Sequence, residues 1–283
     1  MPELPEVETV RRHLASVLPG RTIREMTFKR TDLRYPMPIA ALQELVGRPL
    51  GEVHRRAKYL LLQVNGAQVL VHLGMSGRLF AQPGPEPEWQ KHEHWRWQLM
   101  DPHGEVLWLR YVDARRFGAL DLVPPGQGHA LLDALGPEPL SGEFSAGYLR
   151  SRCQGRQVPI KQLLMSADIV VGIGNIYASE TCYRAEISPL RPADQVTPAE
   201  AVRLVQQAQA VLGDAIAAGG STLRDFVGGD AAPGYFQQQL DVYHREGQKC
   251  NRCAALRSLA DDSHIVHARV GQRATFWCPT CQK

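Results

Sequence analysis

Pro2 and Glu3 place a secondary amine beside a carboxyl group at the start of the sequence. Met1 precedes a small proline and is expected to be removed, which exposes the amine of Pro2. An α-amine titrates near ~8, so a usable fraction is a neutral nucleophile at neutral pH. The positive end of a nearby helix would disfavour the cation, and the Glu3 carboxyl would move protons. The pair predicts covalent catalysis through an iminium, although the same residues also suit an inert helix start.

Two closely spaced cysteine pairs lie near the end of the sequence. They are formed by Cys250, Cys253, Cys278 and Cys281. Because the first residues do not resemble an export signal, such pairs indicate metal ligands rather than disulfides. Four thiolates make a closed tetrahedral shell, which predicts one structural Zn²⁺. His264 and His267 lie between the pairs and are alternative ligands, whereas Cys153 and Cys182 are isolated.

Two large apolar residues fall in predicted connections between strands, close to basic residues. Met75 follows Gly74, and Phe117 follows Arg115 and Arg116. An exposed Met or Phe beside arginine is suited to wedge between stacked bases. A place in the core explains the same pattern about equally well from these residues alone.

A Gly-x-Gly pattern at residues 172–174 precedes Asn175. A dinucleotide-binding loop needs a parallel βαβ unit around it, whereas this part of the sequence has helical periodicity. We therefore expect Asn175 to begin a helix whose free N–H groups could face a phosphate. Lys161, one helix earlier, is the expected cationic partner of that phosphate.

The periodicity of the first half predicts a leading helix followed by antiparallel strands. Apolar residues at helical spacing predict a helix over residues 5–18. Asn65-Gly66 between the apolar runs 59–64 and 68–73 predicts a tight hairpin. A second hairpin is expected to turn at residues 101–104.

The second half changes to helical periodicity after a stretch rich in Pro and Gly at residues 136–142, which we interpret as a linker. Residues 143–219 are expected to be helical. The clearest helix has Thr197 as its N-cap and Glu200 closing a capping box. A Gly-rich loop over residues 221–235 follows it.

The bulk composition excludes some classes of protein and favours none strongly. The sequence has 283 residues, of which 44% are hydrophobic, so two domains with proper cores are expected. No apolar run approaches the ~18 residues of a membrane span, so no membrane partner is expected. A net charge of +3 is mild for a nucleic-acid binder, and its basic clusters matter more than the total.

Seven motifs, taken in order along nearly the whole sequence, resemble the formamidopyrimidine-DNA glycosylase family. They are MPELPEVET (1–9), RAKYLL (56–61), HLGMSG (72–77), DARRFG (113–118), LGPEPL (135–140), GIGNIYASE (172–180) and RATFWCPTCQ (273–282). Each motif is weak alone, but seven in register are specific.

The resemblance implies a bifunctional DNA glycosylase and AP lyase of base-excision repair, acting on oxidised purines such as 8-oxoguanine and formamidopyrimidines. Pro2 is then the nucleophile that forms a Schiff base at the sugar, with β,δ-elimination following, and Glu3 is the acid/base group. Lys58, expected at the start of a strand, and Arg273, expected at the tip of a zinc ribbon against a phosphate, complete the implied catalytic set.

Six further residues are implied to contact DNA: His72, Met75, Arg115, Phe117, Lys161 and Asn175. Met75 and Phe117 would fill the gap left by the flipped nucleotide, and Arg115 would bind the opposite base, expected to be cytosine. In the family a loop closes over the flipped base, and here residues 221–235 correspond, with Thr222 and Tyr235 as candidates. The partner is duplex DNA, and a monomer in the bacterial cytoplasm, at the nucleoid, is expected.

The implied fold class is α+β, with four parts. An N-terminal antiparallel β-sandwich with a leading helix spans residues 1–135 and carries the catalytic residues. The linker (136–142) leads to a helical helix-two-turn-helix domain over residues 143–239, which includes the lesion-recognition loop. A zinc ribbon occupies residues 240–283.

The spacing of the cysteine pairs departs from the family. Residues 254–277 separate them, which is distinctly longer than usual. We expect the extra residues to lengthen the ribbon, and they put in doubt whether Arg273 still reaches its phosphate.

Two other functions fit parts of the sequence. A relative of endonuclease VIII would share Pro2 and Glu3 but remove oxidised pyrimidines; Leu4 and the 72–77 and 115–117 motifs favour the purine-directed branch. A non-catalytic zinc-ribbon protein would bind DNA without cleaving it, and the intact Pro2, Glu3 and Lys58 disfavour it.

Overall fold

Two units make up the chain, and each draws on two stretches of sequence. The computed structural model describes residues 2–220, 240–255 and 263–283. The first unit contains residues 1–133 and 218–237, and the second contains residues 134–217 and 238–283. Within the described ranges, no helix is both long and apolar enough to cross a membrane.

Two four-stranded antiparallel sheets form the framework of the first unit in its described part. The strands are β1 (Thr22–Phe28), β2 (Leu50–Arg56), β3 (Tyr59–Val64), β4 (Ala67–His72), β5 (Arg78–Pro83), β6 (Glu93–Met100), β7 (Val106–Val112) and β8 (Ala119–Val123). One sheet has the order β1-β6-β7-β5 and the other the order β2-β3-β4-β8.

Both predicted hairpins are present. Val64 pairs with Ala67 across Asn65 and Gly66, which have φ values of 49° and 82°. Positive φ at both turn residues matches the twist of the flanking strands, and it is the reason Asn-Gly is favoured there. Met100 pairs with Val106 at the end of the second hairpin.

The core of the first unit is built by the inner faces of both sheets and by the leading helix. In its described part, the helices of this unit are α1 (Leu4–Val17), α2 (Ile39–Gln43) and α3 (Ala130–Asp133). Members of the shared core include Val7, Val10, Leu14, Leu60, Leu62, Val69, Val71, Trp95, Trp97, Leu109 and Tyr111. Burial of alternate strand residues from both sheets makes this a β-sandwich, as predicted.

Helices dominate the second unit before its final ribbon. They are α4 (Ala146–Cys153), α5 (Ile160–Leu164), α6 (Asn175–Arg184), a 3-10 helix (Ala193–Gln195), α7 (Pro198–Ala217) and α8 (Asn251–Ala255). The predicted capping box of α7 is present. The Glu200 N–H donates to Thr197 Oγ1 at 3.3 Å, and the Thr197 N–H donates to Glu200 Oε2 at 2.9 Å.

A two-stranded antiparallel ribbon ends the second unit. Its strands are β9 (Val266–Val270) and β10 (Arg273–Trp277), joined by Gly271 and Gln272 at φ values of 52° and 65°. With the sandwich, the helices and this ribbon, the predicted α+β architecture is confirmed.

Candidate functional site

Pro2 and Glu3 are buried at the amino end of α1. Glu3 is the N-cap of the helix and is 3% exposed. Its side chain accepts from the backbone of Glu6, and the Glu6 carboxylate accepts the Glu3 N–H at 2.8 Å. This capping box fixes Glu3 and sets the positive end of α1 beside Pro2. The arrangement suits a neutral amine next to a proton-transfer group.

Gly220 lies against the same helix end. Its φ is 82°, and a Cβ built on it would lie 3.1 Å from Glu6 Oε1. The chain therefore passes the start of α1 immediately before residue 221. The candidate loop residues Thr222 and Tyr235 lie outside the described residues.

Lys58 lies in the two-residue turn between β2 and β3, where Arg56 pairs with Tyr59. The prediction that it begins a strand is wrong by one residue. Ala57, at a φ of 55°, and Lys58 form the tight turn, and the strand begins at Tyr59. Helix α1 packs against both strands of this hairpin. Arg55 Nε donates to Glu8 Oε2 at 3.1 Å and ties β2 to that helix.

His72, the last residue of β4, is a neutral hydrogen-bond donor at physiological pH. Burial, followed by the charges of Lys58 and Arg34, lowers the pKa of His72 to about 4. The Gly74 N–H donates to Nδ1 at 3.2 Å, so the ring proton lies on Nε2. The electrostatic influence of Lys58 shows that the two predicted site residues lie near each other in the first unit.

Met75 and Phe117 lie in two adjacent turns, which we call the first tip (residues 74–76) and the second tip (residues 114–117). A Cβ on Gly74 would lie 2.5 Å from the Phe117 carbonyl carbon, so the two backbones are in direct contact. Phe117 is 43% exposed, which contradicts a place in the core, and Met75 is partly exposed. The guanidinium of Arg115 lies 4.9 Å from the Phe117 ring centroid. An exposed aromatic ring with a stacked cation is suited to contact bases.

Asp113 connects the two tips and was not singled out from the sequence. It is fully buried, and its carboxylate accepts from four donors, which lie on both tips, directly after the second tip and on β7. They are Ser76 Oγ at 2.6 Å, the Arg115 N–H at 3.2 Å, the Gly118 N–H at 2.9 Å and Tyr111 Oη at 3.3 Å. The one signal in the sequence is an acidic residue at the head of an otherwise basic motif.

In the second unit, Lys161 and Asn175 are brought together. Lys161 is 2% exposed, and its Nζ donates to Asn175 Oδ1 at 2.7 Å. It also donates to the Ala274 carbonyl at 3.0 Å and to Thr275 Oγ1 at 2.8 Å, both on β10. Asn175 begins α6, as predicted, and its Nδ2 donates to Tyr243 Oη at 3.3 Å. A buried ammonium group beside a helix N-terminus is suited to bind an anion.

Arg273 begins β10 at the ribbon tip and is exposed. It lines a cavity of about 210 Å³ together with Lys161 of α5. Gly271 of the same tip packs on α5, since a Cβ there would lie 2.8 Å from Gln162 Oε1. The extra residues between the cysteine pairs therefore do not separate Arg273 from the Lys161 cluster.

Glu180 is a second residue that sequence reasoning missed. It is 1% exposed on α6 and accepts three successive backbone N–H groups. They belong to Asp241, Val242 and Tyr243, at 2.9, 3.0 and 2.9 Å. Glu180 thus fixes the segment that carries Tyr243 to the helix that begins at Asn175.

The four predicted cysteines form one cluster. Their sulfur atoms all lie within 4.8 Å of one another, with Cys250–Cys281 at 3.8 Å and Cys253–Cys278 at 3.7 Å. A tetrahedral zinc with bonds of about 2.3 Å requires sulfur separations of about 3.8 Å, so the donor set and its size fit the ion. In the described part of the chain, His264 and His267 do not join this cluster. His267 instead stacks on Phe276 at 4.9 Å.

Both isolated cysteines are buried in the second unit. Burial raises the pKa of Cys182 to about 12, and burial also raises the pKa of Cys153. A reactive thiol needs a lowered pKa, so neither residue is a candidate nucleophile.

Sequence and structural comparisons identify relatives along the full chain. Residues 1–120 match the model of the formamidopyrimidine-DNA glycosylase N-terminal domain, and residues 135–227 match the model of its H2TH domain. A formamidopyrimidine-DNA glycosylase of Stenotrophomonas maltophilia (strain R551-3) is 46% identical over 283 residues, covering 100% of both chains. One from Xanthomonas axonopodis pv. citri (strain 306) is 46% identical over 284 residues, again covering 100% of both.

Solved structures agree with these sequence matches. The MutM (Fpg) protein of Thermus thermophilus superposes with a TM-score of 0.84 at 37% identity, covering 99% of this chain and 98% of its own. A Lactococcus lactis Fpg mutant in complex with DNA containing Fapy-dG gives 0.87 at 30% identity, covering 100% of both chains. With these full-length matches and its amino-terminal Pro2-Glu3 pair, the chain belongs to the formamidopyrimidine-DNA glycosylase family.

Proposed function

We propose that this chain is a bifunctional DNA glycosylase and AP lyase that removes oxidised purines from duplex DNA. The observation that carries the proposal is the placement of Pro2 directly before the buried N-cap Glu3. A secondary amine and a carboxyl group held together at a helix N-terminus can form and break an iminium. Family membership along the full chain supports the same reaction.

The reaction begins when the Pro2 nitrogen attacks C1′ of the damaged nucleotide. The bond from C1′ to the base breaks, the base leaves with a proton, and the sugar ring opens to an iminium. Glu3 protonates the ring oxygen as it opens. The iminium acidifies the C2′ proton, so its removal expels the 3′ phosphate, and a second elimination expels the 5′ phosphate. Water finally releases Pro2 from the sugar remnant.

Contacts in both units support binding to the DNA backbone. In the first unit His72 offers a neutral Nε2–H, and Lys58 lies near it. In the second unit Lys161, Asn175 and Arg273 form a cationic cluster beside the start of α6. Such contacts position a duplex without reading its sequence.

Purine lesions are the proposed substrates, with cytosine opposite. Arg115 lies exposed at the second tip, where its guanidinium can donate to the acceptors of an unpaired cytosine. A neighbour of known structure from Lactococcus lactis was solved with DNA containing Fapy-dG. Oxidised pyrimidines are the competing substrate class.

The four-cysteine cluster is proposed to hold one Zn²⁺. All four positions would be filled by thiolates, so the ion would stabilise the ribbon that carries Arg273 and take no part in catalysis. We further propose that the protein acts as a monomer in the bacterial cytoplasm.

Borohydride trapping on an 8-oxoguanine duplex tests the chemistry. Wild-type protein is expected to give a covalent adduct by reduction of the iminium, and protein that retains Met1 is expected to give none. Efficient strand cleavage by the Met1-retaining form would refute the amine mechanism.

Parallel duplexes with a formamidopyrimidine or thymine glycol test the substrate class. Faster excision of thymine glycol would overturn the assignment to purines. DNA binding without any adduct or cleavage on all three duplexes would instead support a non-catalytic binding protein.

A further inference from the structure

Asp113 follows β7, and its backbone is fixed on both sides. Its N–H donates to the His92 carbonyl at 2.9 Å, and its own carbonyl lies 2.7 Å from His94 Nε2. The side chain is fully buried. The backbone of Asp113 is therefore held in place on both sides, and its carboxylate hydrogen-bonds to both tips.

The carboxylate joins two tips that are remote in sequence. Ser76 Oγ belongs to the first tip, and the Arg115 N–H belongs to the second, yet both donate to Oδ1. The Arg115 N–H also contacts Ser76 Oγ directly at 3.2 Å. On Oδ2, the Gly118 N–H fixes the residue directly after Phe117.

The backbone at the ends of both tips is packed too closely to admit a side chain at Gly77 or Gly118. A Cβ on Gly118 would lie 1.7 Å from Tyr111 Oη, and one on Gly77 would lie 2.1 Å from the Leu73 carbonyl oxygen. Burial is the main cause that raises the pKa of Tyr111 well above its usual range, so its hydroxyl stays a donor to Asp113. The backbone is therefore closely packed next to both tips, and the Tyr111 hydroxyl links this packing to the carboxylate.

A carboxylate is the side chain that suits this arrangement. It has about four acceptor sites, which match its four donors, whereas an amide of the same shape would present N–H groups to some of them. A buried charge without such compensation would be strongly destabilising. The donor set explains why Asp, and not Asn, suits this position.

We propose that Asp113 is a positioning residue that joins the two tips into one rigid wedge, so that Met75 and Phe117 enter the base stack as a unit. The inference rests on the proposed function. Extruding a nucleotide from a duplex costs a few kcal/mol, and side chains that are already ordered supply that free energy without further loss of entropy. Elimination at an abasic site in single-stranded DNA needs no extrusion.

The test compares three substrates with the full-length Asp113→Asn variant. We expect single-turnover excision of 8-oxoguanine from a duplex to fall about 10-fold to 100-fold, as for loss of hydrogen bonds to a charged group. Cleavage of a single-stranded abasic site is expected to change less than about 3-fold. Mismatched pairs flanking the lesion, which unstack the base in advance, are expected to restore most of the excision rate.

The fluorescence of 2-aminopurine placed beside the lesion reports insertion of the wedge into the base stack. In wild type its intensity is expected to rise as the wedge enters, and in Asp113→Asn the rate of this rise is expected to fall in parallel with the excision rate. Asp121→Asn is the control, because that carboxylate lies on β8 and binds His129 at 3.2 Å, which belongs to neither tip. It is expected to behave like wild type.

Equal losses on all three substrates, or wild-type excision by Asp113→Asn from the duplex, would overturn the inference. If Asp113→Asn does not fold, Ser76→Ala is the second test, because it removes one donor to Asp113 at a partly exposed position. Its excision rate on the duplex must fall, by a smaller factor than expected for Asp113→Asn, while its cleavage of the single-stranded abasic site stays unchanged. Failure of wild type itself to form the borohydride adduct would refute the proposed function and not the wedge.

Discussion

Lys161 reaches across from α5 to the ribbon, where its Nζ donates to the buried Thr275 hydroxyl at 2.8 Å. One ammonium group therefore joins α5, the start of α6 and β10. Its Nζ also donates to Asn175 Oδ1 and to the Ala274 carbonyl, which holds the ammonium group beside the start of α6, where its charge adds to the positive potential of the helix end.

Replacement of Lys161 by Met is expected to weaken DNA binding and to destabilise the second unit. The substitution leaves the buried Thr275 hydroxyl without this donor, which costs about 1 to 3 kcal/mol in urea unfolding. Loss of one positive charge beside the proposed phosphate site should lower the slope of log K against log salt by up to about 1. Binding to an abasic-site duplex at several salt concentrations measures this slope. Lys91→Met, at an exposed lysine, is the control, and an unchanged slope in Lys161→Met would contradict the assignment.

The stability of the first unit should depend on His72 below neutral pH. Its pKa is about 4 when folded against 6.5 for an unperturbed histidine, so between these values the unfolded chain binds the additional proton. Stability is therefore lost as the pH falls from about 6.5 to about 4, by about 2 to 3 kcal/mol.

The His72→Asn variant isolates this effect, since its Oδ1 can still accept from the Gly74 N–H but does not titrate. Urea unfolding at pH 7.5 and pH 4.5 should show a smaller acid-induced loss in the variant than in wild type. Identical losses in both proteins would show that His72 does not carry this dependence.

Removal of the metal is expected to abolish DNA binding and to leave the sandwich folded. Protein as purified should contain one zinc per chain, and Cys278→Ala should contain less. Trp277 ends β10 next to Cys278. Chelation should therefore shift the tryptophan emission toward that of solvent-exposed indole, and a Trp277→Phe variant should lack this shift. Cys153→Ala, at an isolated cysteine, should keep its metal. Full zinc content in Cys278→Ala would count against the four-thiolate site.

Glu180→Gln is expected to loosen the segment at residues 241–243. The amide cannot accept all three backbone N–H groups that the carboxylate accepts, which should cost about 1 to 3 kcal/mol. Hydrogen exchange of these amides should accelerate, while α7 stays protected. Glu143→Gln, at an exposed carboxylate, should leave the exchange unchanged.

The features that were predictable from the sequence are those that neighbouring residues determine. Asn65 and Gly66 alone dictate a tight turn, and Thr197 and Glu200 complete each other within one helical turn. The two cysteine pairs likewise indicate a shared site, because each pair has the spacing of metal ligands. These local patterns predict the α+β architecture and the four-cysteine cluster.

What escaped prediction depends on contacts between distant residues. Asp113 meets Ser76 across 37 positions, and nothing near Asp113 in the sequence indicates that partner. The apolar run after Lys58 predicts a strand that begins at this residue, because Ala57 gives no sign of its φ of 55°, which is unusual for a residue with a side chain. The sequence around Phe117 suits a core position and an exposed one equally well, and the fold leaves Phe117 43% exposed.

The two ends of the ribbon meet different demands. Ser263 hydrogen-bonds to the Cys278 sulfur at 3.2 Å, whereas Arg273 begins the opposite end of β10, where it pairs with Val270. The length of one strand therefore separates the cysteine cluster from the residue proposed to contact DNA. A change of register within β10 would shift Arg273 along the ribbon even if all four cysteines stayed in place.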